Sequence, residues 1–205
     1  MVRLVLALLI LVNPGCASTH NSPDTPLRER LVLAVQEARD EQKLAKTGFS
    51  SALGEFLSVT RIRVPELEER YTSLNSRYLE CAASATAVHN RIATLERVAE
   101  ALFKEWELEI AQYSSNDLRQ TSKNLMQTTG KRAAALIESM KSAESKMRSV
   151  LASFNDQVLI LKHNLNARAL EAMKGNADQI EAQTTELIRE MEKAIAEANA
   201  FVQQL

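Results

Sequence analysis

The stretch LVLAVQEARDEQKLAKTGFSSALGEFLSV, residues 31–59, carries apolar side chains at alternating spacings of four and three residues. These spacings place the apolar side chains on one face of an α-helix. A row maintained over this length predicts coiled-coil packing against other helices. The row consists of Leu31, Val35, Ala38, Gln42, Ala45, Phe49, Ala52, Phe56 and Val59.

Three later segments carry rows of the same kind. The second row runs from Leu67 to Tyr113 and is interrupted only at Glu109, and the fourth runs from Ile180 to Leu205. The third row consists of Ile137, Met140, Glu144, Met147, Leu151, Phe154, Val158, Leu161 and Leu165. We therefore predict an all-α protein, an elongated antiparallel helical bundle or coiled coil, because short connections make consecutive helices antiparallel.

Proline, glycine and capping residues predict where the helices begin and end. Pro65 is the last proline and favours a helix start, Ser114–Asp117 predicts a turn with N-caps, and Gly175-Asn176 predicts the end of the third helix. The predicted domain covers residues 28–205, with helices at about 28–60, 65–113, 117–174 and 177–204. The second and third helices are the longest, so we expect a four-helix base that thins to a long two-helix hairpin arm.

The first 27 residues predict export. Residues 1–15 resemble a signal peptide, because Leu4–Val12 is an apolar run too short to span a bilayer, which needs about 20 residues. Gly15 directly before Cys16 predicts lipid attachment at Cys16, with residues 16–27 as a flexible tether. The alternative is cleavage after Ala17, which would remove Cys16 and leave a soluble periplasmic protein.

Charge and motifs exclude several classes of function. The net charge of −1 argues against nucleic-acid binding, which needs a clustered basic surface. Gly130-Lys131 lacks the earlier glycine of a phosphate-binding loop, and the sequence has no nucleophile elbow or H-E-x-x-H motif. We expect no catalytic residues, no cofactor and no bound metal. Cys81 is expected to be a small buried apolar side chain.

Two groups of residues are candidates for binding. Phe103, Trp106 and Ile110 lie near the predicted hairpin tip, and as exposed apolar residues they would form a partner site. They could instead bury in a dimer, or pack within the hairpin against Leu125 and Met126.

The second group is a dense polar cluster near the predicted base. It could hold a small ligand or metal, or form a buried polar layer that fixes helix register. The cluster consists of His163, Asn164, Asn166 and Arg168.

Three segments resemble one family of Gram-negative envelope proteins, the domain-of-unknown-function family numbered 2959. They are EARDEQ (37–42), RVAEALFKEWELEIAQYSSNDLR (97–119) and LKHNLNARAL (161–170), within a resemblance that covers residues 28–203. The resemblance implies lipoproteins with long helical bodies and brings no enzyme activity.

We therefore expect a non-enzymatic envelope lipoprotein that acts as an elongated scaffold or adaptor. It would be anchored on the periplasmic side of the outer membrane through its lipid, and would bind a protein partner or a second copy of itself. The alternative is a helical module that binds a small ligand or a metal through the polar cluster.

Overall fold

The computed structural model describes residues 25–61 and 66–205, which form four α-helices. Helix α1 is Leu27–Val59, α2 is Leu67–Ile110, α3 is Asn116–His163 and α4 is Ala167–Gln204. With 33, 44, 48 and 38 residues, they are about 50, 66, 72 and 57 Å long. The predicted signal peptide, Cys16, residues 16–24 of the predicted tether and Pro65 lie outside the described residues.

The four helices form a closed ring in which every helix packs against two others. Each contacts its neighbour in the chain, and α1 closes the ring against α4. Polar contacts join the surfaces: Lys46 of α1 lies 3.1 Å from Glu192 of α4, and Ser153 of α3 donates a 2.8 Å hydrogen bond to Gln183 of α4. The prediction of an all-α antiparallel helical bundle is confirmed.

The first apolar row forms the centre of the core. All nine of its residues are buried, and the ring of Phe56 meets that of Phe154 edge to face at 6.2 Å. Its polar member Gln42 is fully buried and donates a 3.4 Å hydrogen bond to the backbone carbonyl of Met140. Cys81 is also buried, as expected.

The buried residues of α3 differ in part from the predicted third row. The structure buries Leu136, Ala143 and Val150, whereas the predicted members Ile137 and Leu151 are only half-buried and Leu165 is exposed. The reason is that α3 faces two neighbours, α2 and α4, so its apolar stripe is wider than a single coiled-coil seam. Several members of the predicted row are buried as expected, among them Met140, Met147, Phe154 and Leu161.

The turn between α3 and α4 lies at residues 164–166 and not at Gly175-Asn176 as predicted. Asn166 is the N-cap of α4, and its side-chain oxygen accepts hydrogen bonds from the backbone N–H groups of Arg168 (3.0 Å) and Ala169 (3.1 Å). Gly175 lies inside α4 with a negative φ. A glycine within a helix costs about 1 kcal/mol, and burial of apolar side chains on both sides of it, at Met173 and Ile180, outweighs that cost.

Moving this turn changes the length of the free hairpin. The turn lies about 10 residues earlier along α3, and α4 is about 10 residues longer than predicted. Because α4 runs back along α3, the two shifts add. The C-terminal end of α4 therefore lies about 20 residues, or about 30 Å, further along α3. The four-helix part therefore occupies most of the molecule. The α2–α3 hairpin still extends beyond it, but its free part is shorter than the long arm that the sequence predicted.

We predict that Gly175→Ala stabilises the protein by about 0.5–1 kcal/mol, because the helix continues through this position and no atom lies within 4 Å of the added Cβ. Urea denaturation followed by circular dichroism measures the change. Gly54→Ala, in the interior of α1 and equally uncrowded, is the matched control and should give a similar gain. A loss of stability at Gly175 alone would contradict the continuous α4.

Candidate interaction site at the end of the bundle

A cleft of about 940 Å³ opens where α1 begins and α4 ends, beside the α2–α3 hairpin. We call it the end cleft. Its floor consists of Thr25, Pro26, Leu27, Arg28 and Arg30 around the start of α1, and of Gln204 and Leu205 at the end of α4. Its walls are formed by Leu102, Glu105, Trp106 and Glu109 of α2 and by Leu125 and Thr129 of α3.

The aromatic side chains near the cleft are held by the hairpin itself. The Nε1–H of Trp106 donates a 2.9 Å hydrogen bond to Ser122 Oγ, and the rings of Trp106 and Phe103 stack with centroids 6.4 Å apart. Phe103 lies over Gly130, where an added Cβ would be 3.7 Å from the ring. Gly130 thus lets the aromatic pair lie close to the backbone of α3.

The predicted exposed patch of Phe103, Trp106 and Ile110 is therefore wrong in detail. Phe103 and Trp106 are half-buried, and Ile110 is 8% exposed. Phe103 and Trp106 pack within the hairpin, which was one of the alternatives given above. The reason is that the small residues Ser122 and Gly130 of α3 leave room for large rings from α2.

The exposed apolar side chains near the cleft come instead mainly from α3. Leu118 and Leu125 are each 57% exposed, and they are seven residues apart on the helix face that also carries Ser122 and Thr129. Further along α3 the inward-facing side chains are covered by the other helices, and here α1 and α4 do not reach. The predicted third row began at Ile137, and its continuation toward the turn at spacings of four and three would pass through Met126 and not through Leu125 or Leu118.

Charged side chains of both signs surround the end cleft. Arg28 and Arg30 lie on its floor, and Glu105 and Glu109 lie on its α2 wall. Within residues 25–61 and 66–205 none of the four forms an ion pair, and the Nε–H of Arg30 is buried without a hydrogen-bond acceptor. Sequence reasoning did not single out these four charges, because residues so far apart in the chain are brought together only by the bundle.

The polar cluster at the opposite end of the bundle is not a buried layer. The structure places His163, Asn164, Asn166 and Arg168 at the exposed α3–α4 turn, where Asn166 caps α4 and Asn164 donates to the backbone carbonyl of Ile160. The prediction assumed that α3 continued to residue 174, which would have put these side chains inside a helix. In the described part of the chain no three His, Cys, Asp or Glu side chains are grouped to bind a metal.

Two further groups, Cys81 and the carboxylate of Glu144, are buried ionisable side chains. Burial raises the pKa of the Cys81 thiol to about 12, so the nucleophilic thiolate is scarce at neutral pH. The buried carboxylate of Glu144 pairs with Arg148 and lies 3.1 Å from Nδ1 of His89. These contacts satisfy the carboxylate and tie α2 to α3, so the group is structural.

Comparison with known proteins gives a family without an assigned activity. The family model described as "Protein of unknown function (DUF2959)" matches residues 20–205. No curated protein and no solved structure matches the chain. Among the helices of the described ranges, none has a stretch apolar and long enough to span a bilayer.

We predict that Ser122→Ala lowers the free energy of unfolding by about 1 kcal/mol relative to Ser145→Ala, because it removes the acceptor for the Trp106 N–H. Ser145 is exposed on the same helix, so its replacement reports the change in helix propensity alone. Trp106 is the single tryptophan, and its fluorescence reports on the cleft directly. Equal stability of the two variants would show that the Trp106–Ser122 hydrogen bond adds nothing.

Proposed function

The chain belongs to the DUF2959 family, and we propose that this member is a non-enzymatic scaffold or adaptor of the cell envelope. It would act by presenting the end of its α2–α3 hairpin to another component. The finer parts of this proposal are export, a lipid anchor at Cys16 and a place on the periplasmic side of the outer membrane. They rest on the sequence of the first 27 residues.

The observation that carries the proposal is the exposed apolar face at the end of the hairpin. Leu118 and Leu125 occupy positions equivalent to core positions elsewhere in α3, yet more than half of each side chain is exposed. Leu108 of α2, on a different face, is 63% exposed. A cluster of exposed apolar side chains beside a half-buried tryptophan is typical of protein interaction sites.

The charges at the end of α2 support the same interpretation. Glu105, Glu107 and Glu109 lie near the C-terminus of the helix, whose last turn has no basic residue. Glu107 and Glu109 lie in the last turn, next to the negative end of the helix dipole, and cost a few tenths of a kcal/mol each. Local choices that oppose stability concentrate at functional sites, which favours a binding role for this end.

The position of the chain start favours a contact close to the membrane. Helix α1 begins at the floor of the end cleft, so the tether enters the molecule at the same end as the hairpin tip. The segment from Ala17 to Pro26 can extend over at most about 35 Å. An anchor at Cys16 would therefore hold the start of α1 within that distance of the bilayer, with the hairpin extending from the same end of the bundle.

We predict that a photo-crosslinking residue placed at Leu118 or Leu125 gives covalent adducts in intact cells, because these side chains face the partner. The control position is Leu79, which is 56% exposed but lies on α2 away from the end cleft. Adducts are detected as bands heavier than the 22.8 kDa chain. Adducts of equal yield at Leu79, or none at either hairpin position, would contradict the proposal.

We also predict that the chain incorporates radiolabelled palmitate and that Cys16→Ser abolishes the label. Lipid is attached through the Cys16 thiol, so serine cannot replace it. Cell fractionation should find the unsubstituted protein in the membrane fraction and the Cys16→Ser variant in the soluble fraction. Labelling that persists in Cys16→Ser, or membrane association that does not change, would count against the anchor.

A further inference from the structure

We propose that the end cleft receives the hairpin end of a second copy of this chain, so that two bundles join end to end about a two-fold axis. The inference rests on the proposed function and deepens it by naming the partner of the hairpin. Such a contact is isologous, since each copy contributes the same cleft and the same hairpin.

The first support is the shape of the uncovered surface. Along most of the bundle the α2–α3 pair is covered by two antiparallel helices, α1 and α4. Among the described residues, the helices α1 and α4 cover this pair no further than Leu27 and Leu205, while the face with Leu118 and Leu125 continues. A second α2–α3 hairpin is itself a pair of antiparallel helices with the same apolar face. It can therefore take the place of the two missing helices and restore a four-helix arrangement.

The second support is the arrangement of charge. In one molecule, Arg28 and Arg30 on the floor and Glu105 and Glu109 on the wall form no ion pair. When a second hairpin enters the cleft, its glutamates approach the arginines of the first copy, and the two-fold axis repeats the contact. The charge pattern is thus complementary to itself.

The same charges disfavour other occupants. A basic helix would meet Arg28 and Arg30 on the floor, and an acidic helix would meet Glu105 and Glu109 on the wall. Juxtaposed like charges suppress wrong partners at interfaces. A second copy brings its glutamates to the arginines of the floor and its arginines to the glutamates of the wall, so its charges are complementary to both surfaces.

Sedimentation velocity tests the proposal. The sample is the chain expressed from residue 1 with Cys16→Ser, a substitution that prevents acylation. We expect a monomer–dimer equilibrium over a dilution series of about 1 to 300 µM, which covers weak and moderate interfaces. Glu105→Arg/Glu109→Arg and Arg28→Glu/Arg30→Glu should each weaken self-association at least about tenfold, because like charges then meet at both contacts. Glu181→Arg, an exposed reversal on α4 away from the cleft, is the control and should leave the dimer unchanged.

The decisive measurement is the mixture of the two double variants. In a heterodimer, the introduced arginines of one chain meet the introduced glutamates of the other, while the native pair is kept at the second contact. Mixing should therefore restore dimerisation to near the level of the unreversed chain and shift the Trp106 emission. Pairing within one molecule cannot produce this rescue, because neither variant alone contains a complementary set.

Three results would overturn the proposal: no dimer of the unreversed chain at any concentration, a dimer that neither reversal weakens, or a mixture that stays monomeric. Circular dichroism verifies the fold of each variant. If the partial burial of Arg30 makes Arg28→Glu/Arg30→Glu unstable, the single variant Arg28→Glu takes its place. The purified chain could remain monomeric while crosslinkers at Leu118 and Leu125 still form adducts in cells. This outcome would exclude a second copy as the partner and would agree with the proposed function.

Discussion

The chain reverses at residues 164–166, where Asn166 caps α4, and the position of this turn sets how far α4 reaches back along α3. The side-chain oxygen of Asn166 accepts from two backbone N–H groups of the first turn of α4, and so fixes the point at which the chain reverses. Helix α4 then has 38 residues and reaches back to the start of α1. Because the two helices end at nearly the same level, a single cleft forms there, with the α2–α3 hairpin rising beside it.

Burial along the bundle and exposure at its end follow from one pattern. The heptad rows continue along α2 and α3 beyond the point where α1 and α4 can cover them. Where cover exists, side chains such as Leu31 and Met147 are fully buried. Where it ends, Leu118 and Leu125 lie about five helical turns before the buried residues Leu136 and Ala143, on the same face of α3, but they face solvent. The candidate interaction surface is therefore an extension of the core.

Charged side chains pair across several helix contacts in the body of the molecule. Lys46 pairs with Glu192 and Glu144 pairs with Arg148, whereas one carboxylate oxygen of Glu197 is buried without a hydrogen-bond partner. At the end cleft, Arg28 and Glu109 have no ion-pair partner within the described residues, and α2 ends in carboxylates that oppose its dipole. The proposed scaffold role and the proposed dimer both place a partner where these charged groups are exposed.

The sequence by itself determined the all-α class, the four helices and the core row of α1, because heptad spacing and the absence of proline after Pro65 act locally. It misplaced the α3–α4 turn, since Gly175-Asn176 carries the usual local stop signal while long-range burial of Met173 and Ile180 keeps the helix intact. The end cleft was decided by tertiary structure alone. Its charges and apolar walls come from the start, the middle and the end of the chain, and only the closed ring of four helices brings them together.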